Sequence, residues 1–329
     1  MDALYLTGGV RYNHDKKTSA NETPPGSPLI SDSTDFNNTS PRAVVRYEFS
    51  PRTSTYFSYT QGFKSGTYNA VTPLGAENPA RPETVKAYEI GVKTTPTPGV
   101  TINAAAYHYD YTDLQEQIIE NVPGTAANET ITLNAPQAKI DGVELDGDFR
   151  PMRNLGFGVG MNWMNPRITN FNNASVLLPR TATPPGGTPG TTASGTTCAV
   201  GVAPLCGNYA VPYGVSIDGD QLIRAAKFTI NLDANYKVPL PFGALAFDAN
   251  GFYSTKYYLD LNNTVGQGAY KVVNASVSFI SPDEHWTVKV FGENLTDTYY
   301  VMAFLQTAST DNAAYNKPRW FGGSVAYRF

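Results

Sequence analysis

The 329-residue chain carries a formal net charge of -4, with 16% charged residues, 12% aromatics and 21 tyrosines. That balance leaves no basic footprint for DNA or RNA, so nucleic-acid partners are excluded. No run approaches the roughly 20 apolar residues of a membrane-spanning helix. The mean hydropathy of -0.30 looks water-soluble, yet a β-barrel escapes such a scan because only alternate strand residues face lipid.

Twelve strand-like stretches follow one another, at 3–14, 42–49, 54–62, 83–94, 99–118, 131–150, 154–168, 223–238, 243–259, 268–280, 285–296 and 318–329. The first opens at once on LYLTGGVRY, with no basic n-region, apolar core or small-residue cleavage site. Two readings follow: an intracellular chain, or one whose natural start lies elsewhere. The clearest alternation is in the eighth stretch, where Phe228, Ile230, Leu232, Ala234, Tyr236 and Val238 alternate with Lys227, Thr229, Asn231, Asp233, Asn235 and Lys237. A clean apolar phase fits a lipid-facing strand, and it fits the core face of a soluble sandwich equally well.

The connections separate these readings. Short links (SPRT at 50–53, TPTPG at 95–99, PMR at 151–153, PLPF at 239–242, SPDEH at 281–285) alternate with long ones near 15–41, 63–82, 119–130, 169–222, 260–267 and 297–317. One end of the sheet then carries tight turns and the other large polar loops, as in an outer-membrane barrel with periplasmic turns and extracellular loops. Tyr47, Phe49, Tyr56, Phe57, Tyr236, Phe242, Phe279 and Trp286 collect beside the short turns, and Tyr327 and Phe329 end the chain at that level. Amphipathic rings at one height form a girdle at the lipid headgroups. The expected fold is an all-β, antiparallel transmembrane barrel.

The longest connection, 169–222, is rich in Gly, Thr and Pro and reads as a surface excursion. It holds Cys198 and Cys206, separated by seven residues, which read best as a disulfide stapling the loop. His14, His108 and His285 are scattered, so no metal site is expected. Glu144, Asp146 and Asp148 share one strand face and read as a polar lumen lining rather than an acid/base pair. With no nucleophile elbow or Walker loop, no catalytic residue and no cofactor are expected. Asn294-Leu295-Thr296 matches a glycosylation triplet, which is frequent by chance in an Asn/Thr-rich chain.

In order along the chain, LTGGVRYNHDKK, YFSYTQGFKSGTYN, PETVKAYEIGVKT, AAAYHYDYTDLQ, AKIDGVELDGDF, VVNASVSF, WTVKVFGENLTDTYY and PRWFGGSVAYRF resemble the C-terminal barrel portion of TonB-dependent outer-membrane receptors. The resemblance implies a 22-stranded barrel with an N-terminal plug, importing a scarce nutrient such as a ferric siderophore with energy from the TonB complex. The twelve strands are then expected to be the last twelve, with plug, TonB box and signal peptide outside residues 1–329. It implies outer-membrane lipid and the barrel-assembly machinery as partners, the latter reading Gly323, Val325, Tyr327 and Phe329. An iron chelate is expected at the long loops and upper lumen, where Lys64, Tyr68, Asn69, Arg319 and Trp320 are candidate contacts, with Gly62 and Gly66 permitting tight turns. Loop architecture is the alternative role for all of these. A self-closing 12-stranded passive pore and a soluble β-sandwich are the alternative readings of the whole chain.

Overall fold

The structure, a computed structural model, describes residues 3–21, 26, 28–69, 79–121, 128–172, 174–176, 213–306 and 311–329. In chain order the strands are β1 Ala3–Asn21, β2 Ile30–Ser50, β3 Thr53–Lys64, β4 Glu83–Thr97, β5 Val100–Asn121, β6 Asn128–Met152, β7 Leu155–Thr169, β8 Ala174–Val176, β9 Tyr213–Val215, β10 Phe228–Leu240, β11 Gly243–Ser254, β12 Tyr257–Tyr258, β13 Gly266–Gln267, β14 Tyr270–Ile280, β15 Trp286–Glu293, β16 Val301–Gln306, β17 Asp311–Tyr315 and β18 Trp320–Tyr327. Twelve of them form one antiparallel sheet in which each strand pairs with the next, β1-β2-β3-β4-β5-β6-β7-β10-β11-β14-β15-β18. The other six make three two-stranded sheets, β8-β9, β12-β13 and β16-β17, all within long connections. Every expected strand is present. Among the described residues no second sheet layer packs on this one, which removes the sandwich reading.

Two boundaries differ from expectation. Most of 15–41 and the two ends of 119–130 are strand: β1 and β2 stay paired from Ala3↔Glu48 to Asn21↔Ile30, and β5 and β6 to Asn121↔Asn128. These upper stretches are polar on both faces, as in NHDKKTSAN. They lack the apolar alternation that lipid imposes.

The register sorts the two faces. Phe57, Ile90, Ala106, Val143, Trp163 and Phe228 form one cross-strand row on β3 to β7 and β10. This face is apolar and open, with Ile90 57%, Leu232 52% and Val290 60% exposed. A continuous apolar wall of that kind requires lipid against it. The opposite phase carries Asn103↔Asp146↔Gly160↔Asn231 and Asp148↔Gly158↔Asp233. The lumen-lining reading of Glu144, Asp146 and Asp148 follows from that placement.

Tight turns close the other end. Pro98 and Gly99 join β4 to β5, and Gly99 takes φ +83° with the Arg150 carbonyl oxygen 2.6 Å from where a Cβ would sit. Rings gather here in pairs: Tyr47 and Phe49 at 4.8 Å, Phe149 and Phe157 at 6.4 Å, Trp286 and Tyr327 at 4.8 Å, Tyr327 and Phe329 at 5.1 Å. Tyr56 is an exception to the expected girdle. It stands in the lumen phase, donates its hydroxyl to Glu89 at 2.6 Å and lies over Gly91, where a Cβ would come within 2.6 Å of its ring. Tyr107 lies in the same way over Gly142, its cross-strand partner, and donates to Asn162 at 2.9 Å. A glycine opposite each ring lets the tyrosine lie flat on the wall and leaves the lumen open.

Among the described residues β1 pairs only with β2 and β18 only with β15, so the sheet does not close on itself. The self-closing pore is not what the chain forms here. The buried apolar cluster lies at the long-loop end, where Leu114, Ile131, Ala135, Ala138, Ile168 and Ile217 pack together. Ala135 and Ala138 could not both face inward in an unbroken strand. The alternation breaks opposite Asp113, which takes φ +56°, and above it Leu114 joins Tyr111 on the lumen side.

Candidate ligand site beneath the long loops

Lumen-phase residues at the loop end are not uniformly polar. Phe252 on β11 and Tyr270 on β14 stand in the phase that lower down holds Asn250 and Asn274. Their rings are 5.7 Å apart; Tyr270 stacks on Tyr300 at 4.6 Å and 12°, and Tyr257 sits 6.5 Å from Tyr270, edge-on. These rings floor a cavity of about 420 Å³. Arg224 stands at its edge, exposed and held by backbone bonds: its N–H donates to the Tyr258 carbonyl at 2.8 Å and Nη1 to the Met302 carbonyl at 3.3 Å. An aromatic floor with a cation at the rim suits a flat or π-rich anion. The expectations did not include this group. The signal in the sequence was an aromatic in the phase otherwise given to Asn, Asp and Ser.

A second cavity, of about 620 Å³, opens between β1, β3 and β5. Lys17 and Lys64 supply cations to it and Glu116 an acid. Lys64 Nζ is 3.7 Å from Glu83, whose carboxylate also accepts from the Gln115 N–H at 3.0 Å. Burial pushes the Glu116 carboxyl up to about 7; the like charge of Glu83 adds to this and Lys64 opposes it. Ile223 lines this cavity and Arg224 the first, so the two share that wall. The wall is pinned: Ile168 N–H donates to the Asp220 carbonyl at 2.8 Å, and Asn263 exchanges bonds of 2.9 Å with both backbone groups of Gln221.

Of the residues expected to meet a ligand, Lys64, Tyr68 and Asn69 lie together. Lys64 lines the second cavity. Tyr68 Oη donates to Asp32 at 2.9 Å and bonds Thr34 at 2.7 Å, while Asn69 makes a two-way bond with the backbone of Thr132 at 2.5 and 3.2 Å. Both tie the 63–82 connection to neighbouring hairpins. Gly62 and Gly66 have no positive φ; they are small because Val85 and the Phe36 ring fill the space of a Cβ. Trp320 opens the far edge strand and Arg319 immediately precedes it. Arg319 donates its N–H to Asp297 at 2.9 Å, and Trp320 Nε1 donates to Glu293 at 2.9 Å against the edge of Phe291. Cys198 and Cys206 fall outside the described residues.

The final hairpin is fixed by its turn. Asn294 follows β15 at φ +50°, 5% exposed, and Asp297 takes φ +51°. In β18, Gly323, Val325 and Tyr327 pair with Val290, Val288 and Trp286 on the lipid face, and Phe329 stands fully open.

The family described as TonB dependent receptor-like, beta-barrel matches residues 1–295. No curated protein matched the sequence. Among solved structures, the ferric yersiniabactin uptake receptor FyuA from Yersinia pestis is similar over 99% of this chain and 43% of its own, with TM-score 0.75 and 20% identity. The siderophore receptor PiuA from Acinetobacter baumannii is similar over 98% of this chain and 40% of its own, with TM-score 0.71 and 18% identity. The copper transporter OprC matches 99% of this chain and 46% of its own, with TM-score 0.64 and 12% identity. The chain thus spans less than half the length of these receptors, and at such identities the likeness concerns the fold. On the match across nine-tenths of its residues, the chain belongs to the TonB-dependent receptor β-barrel family of the outer membrane, whose members are transporters rather than enzymes.

Proposed function

We propose that the chain is the C-terminal part of a receptor barrel that captures an anionic metal chelate, a ferric siderophore foremost, and passes it inward with energy from the TonB complex. Ten further strands and a plug would complete that barrel. Supporting this, β1 presents a 19-residue edge with no partner on its outer side among the described residues, which hydrocarbon does not tolerate. The observation that carries the ligand class is the Phe252-Tyr270-Tyr300 floor with Arg224 at its rim. Two of the similar receptors are named for a siderophore and a third for copper, so the chelator's identity rests on the cavity chemistry.

In a complete receptor containing this chain, Arg224→Ala and Tyr300→Leu should each weaken binding of a ferric catecholate by about tenfold or more, the scale of a charge-assisted contact or a buried stacking ring. Quenching of tryptophan fluorescence during titration reads this. Unchanged affinity in the double variant would overturn the assignment.

Lys17 and Lys64 make the second cavity an antechamber for the same anion, with a pH dependence set by Glu116. Its folded-state value near 7 means the side chain is neutral at pH 6 and ionised at pH 8. Raising pH therefore adds negative charge, and affinity for the anion should fall by about fifteenfold, as expected for one charge at roughly 10 Å in an effective dielectric of about 20. Glu116→Gln should bind alike at both pH values; a slope that survives this change would exclude Glu116 as its source.

A further inference from the structure

The lipid-facing wall ends in charge at a single level. Above the row of Ile90, Ala106, Val143 and Trp163, the register places Tyr88↔His108↔Asp141↔Asn165, and one step higher Lys86↔Asp110↔Lys139↔Arg167. All stand in the outward phase. They form a chain of contacts: Lys139 to Asp110 at 3.5 Å, Asp110 to His108 at 3.1 Å, His108 to Asp141 at 2.5 Å, and Asp141 to Arg167 at 2.8 Å.

The height of this belt is set by the strand. From Val143 to Met152, where β6 turns, is the roughly 9–11 residues of a tilted transmembrane strand. Tyr59 and Tyr88, 5.2 Å apart, and the half-exposed Trp163 mark the upper headgroup level as the lower rings mark the other. The charged belt begins where the acyl chains end. It is on the outside of the wall, away from both cavities.

We propose that this belt is a binding surface for the phosphate of an anionic outer-leaflet lipid. Three fixed cations, Lys86, Lys139 and Arg167, face two carboxylates, and both carboxylates are already bonded to His108. Lys86 is exposed and, among the described residues, has no ion-pair partner. Arg167 uses Nη1 on Asp141 and on the Asn165 carbonyl. The carboxylates thus hold His108 and Arg167 in place, and the unmatched positive charge is left for an anion. A headgroup phosphate is the anion that occurs at this height and on this side of the wall, with its acyl chains running down the apolar rows below.

The test uses a complete receptor containing this chain, in detergent micelles, with native mass spectrometry of bound lipid A carrying its phosphates against the dephosphorylated form. The phosphorylated lipid should be preferred, and Lys86→Gln with Lys139→Gln should lower its affinity by about fivefold per charge removed while leaving the dephosphorylated lipid unaffected. Lys86→Arg with Lys139→Arg should keep the preference, and so should Lys237→Gln at the short-turn end. Equal binding of the two lipids by the unaltered receptor overturns the proposal even if the glutamine variant fails to fold. So does dimerisation through the same lysines with no lipid preference, which would make the belt a contact between copies.

Discussion

Leu145→Arg should destabilise the assembled barrel by about 2–4 kcal/mol, the cost of a basic side chain at the lipid midplane, whereas Asp146→Arg one residue later should cost little. Leu145 sits between Ala104 and Met161 in the outward phase, midway between Phe149 and Asp141. Asp146 sits between Asn103 and Gly160 in the lumen, where a Cβ on Gly160 would still be 3.6 Å from its carboxylate, so a longer polar chain has room and water. The midpoint of guanidinium unfolding from lipid vesicles reads both. Equal losses would mean that the two faces had been misassigned, and with them every residue placed by register.

Asn294→Ala should be nearly as costly, about 3 kcal/mol, because three of its properties are lost together. Its Nδ2 donates to the carbonyls of Thr298 and Lys317 at 2.9 and 3.1 Å, and its Oδ1 accepts from the Thr298 N–H at 3.0 Å and the Thr296 hydroxyl at 3.2 Å. Alanine leaves these buried groups unpaired and must also adopt the left-handed φ that asparagine tolerates. Asn294→Gly, which restores only the backbone freedom, should recover a minor part. The thermal midpoint in detergent gives the size of the loss, and limited proteolysis between 295 and 320 shows where it falls. A full recovery by glycine would reduce the side-chain bonds to bystanders.

The within-membrane part of the fold was legible because lipid writes a strong rule. In β10 no charge may enter the phase of Phe228, Ile230 and Leu232, so a period of two is visible by eye. Outside the membrane that rule stops. The upper half of the β1-β2 hairpin, with Asn and Asp on both faces, looks like a loop although it is continuously paired. The alternation of short and long links survived these errors, since hairpin length does not change which end a turn occupies. For the ligand site the limit was of another kind. Lys64 was named because its segment had a recognisable pattern, and it lines a cavity, while Arg224 and Tyr300 lie 76 residues apart in chain order and meet only because β12 and the segment after β15 fold over the same floor. Tyr68 and Asn69 were named on the same ground, and their bonds to Asp32, Thr34 and Thr132 were not legible in the sequence.

The break of alternation at Asp113 also acts on how the sequence can change. Below it, the two faces answer to different solvents, so gaining or losing one residue in β5 or β6 would turn lipid-facing side chains into the lumen along the whole strand. Above it the alternation of sides is already broken although the β5-β6 pairing keeps its register, and both faces meet water, loop or neighbour. The position is therefore a seam: beneath it length is fixed, and beyond it the hairpin is free to lengthen, shorten and vary its sequence, which is what a surface exposed to the outside world needs when the wall holding it cannot move.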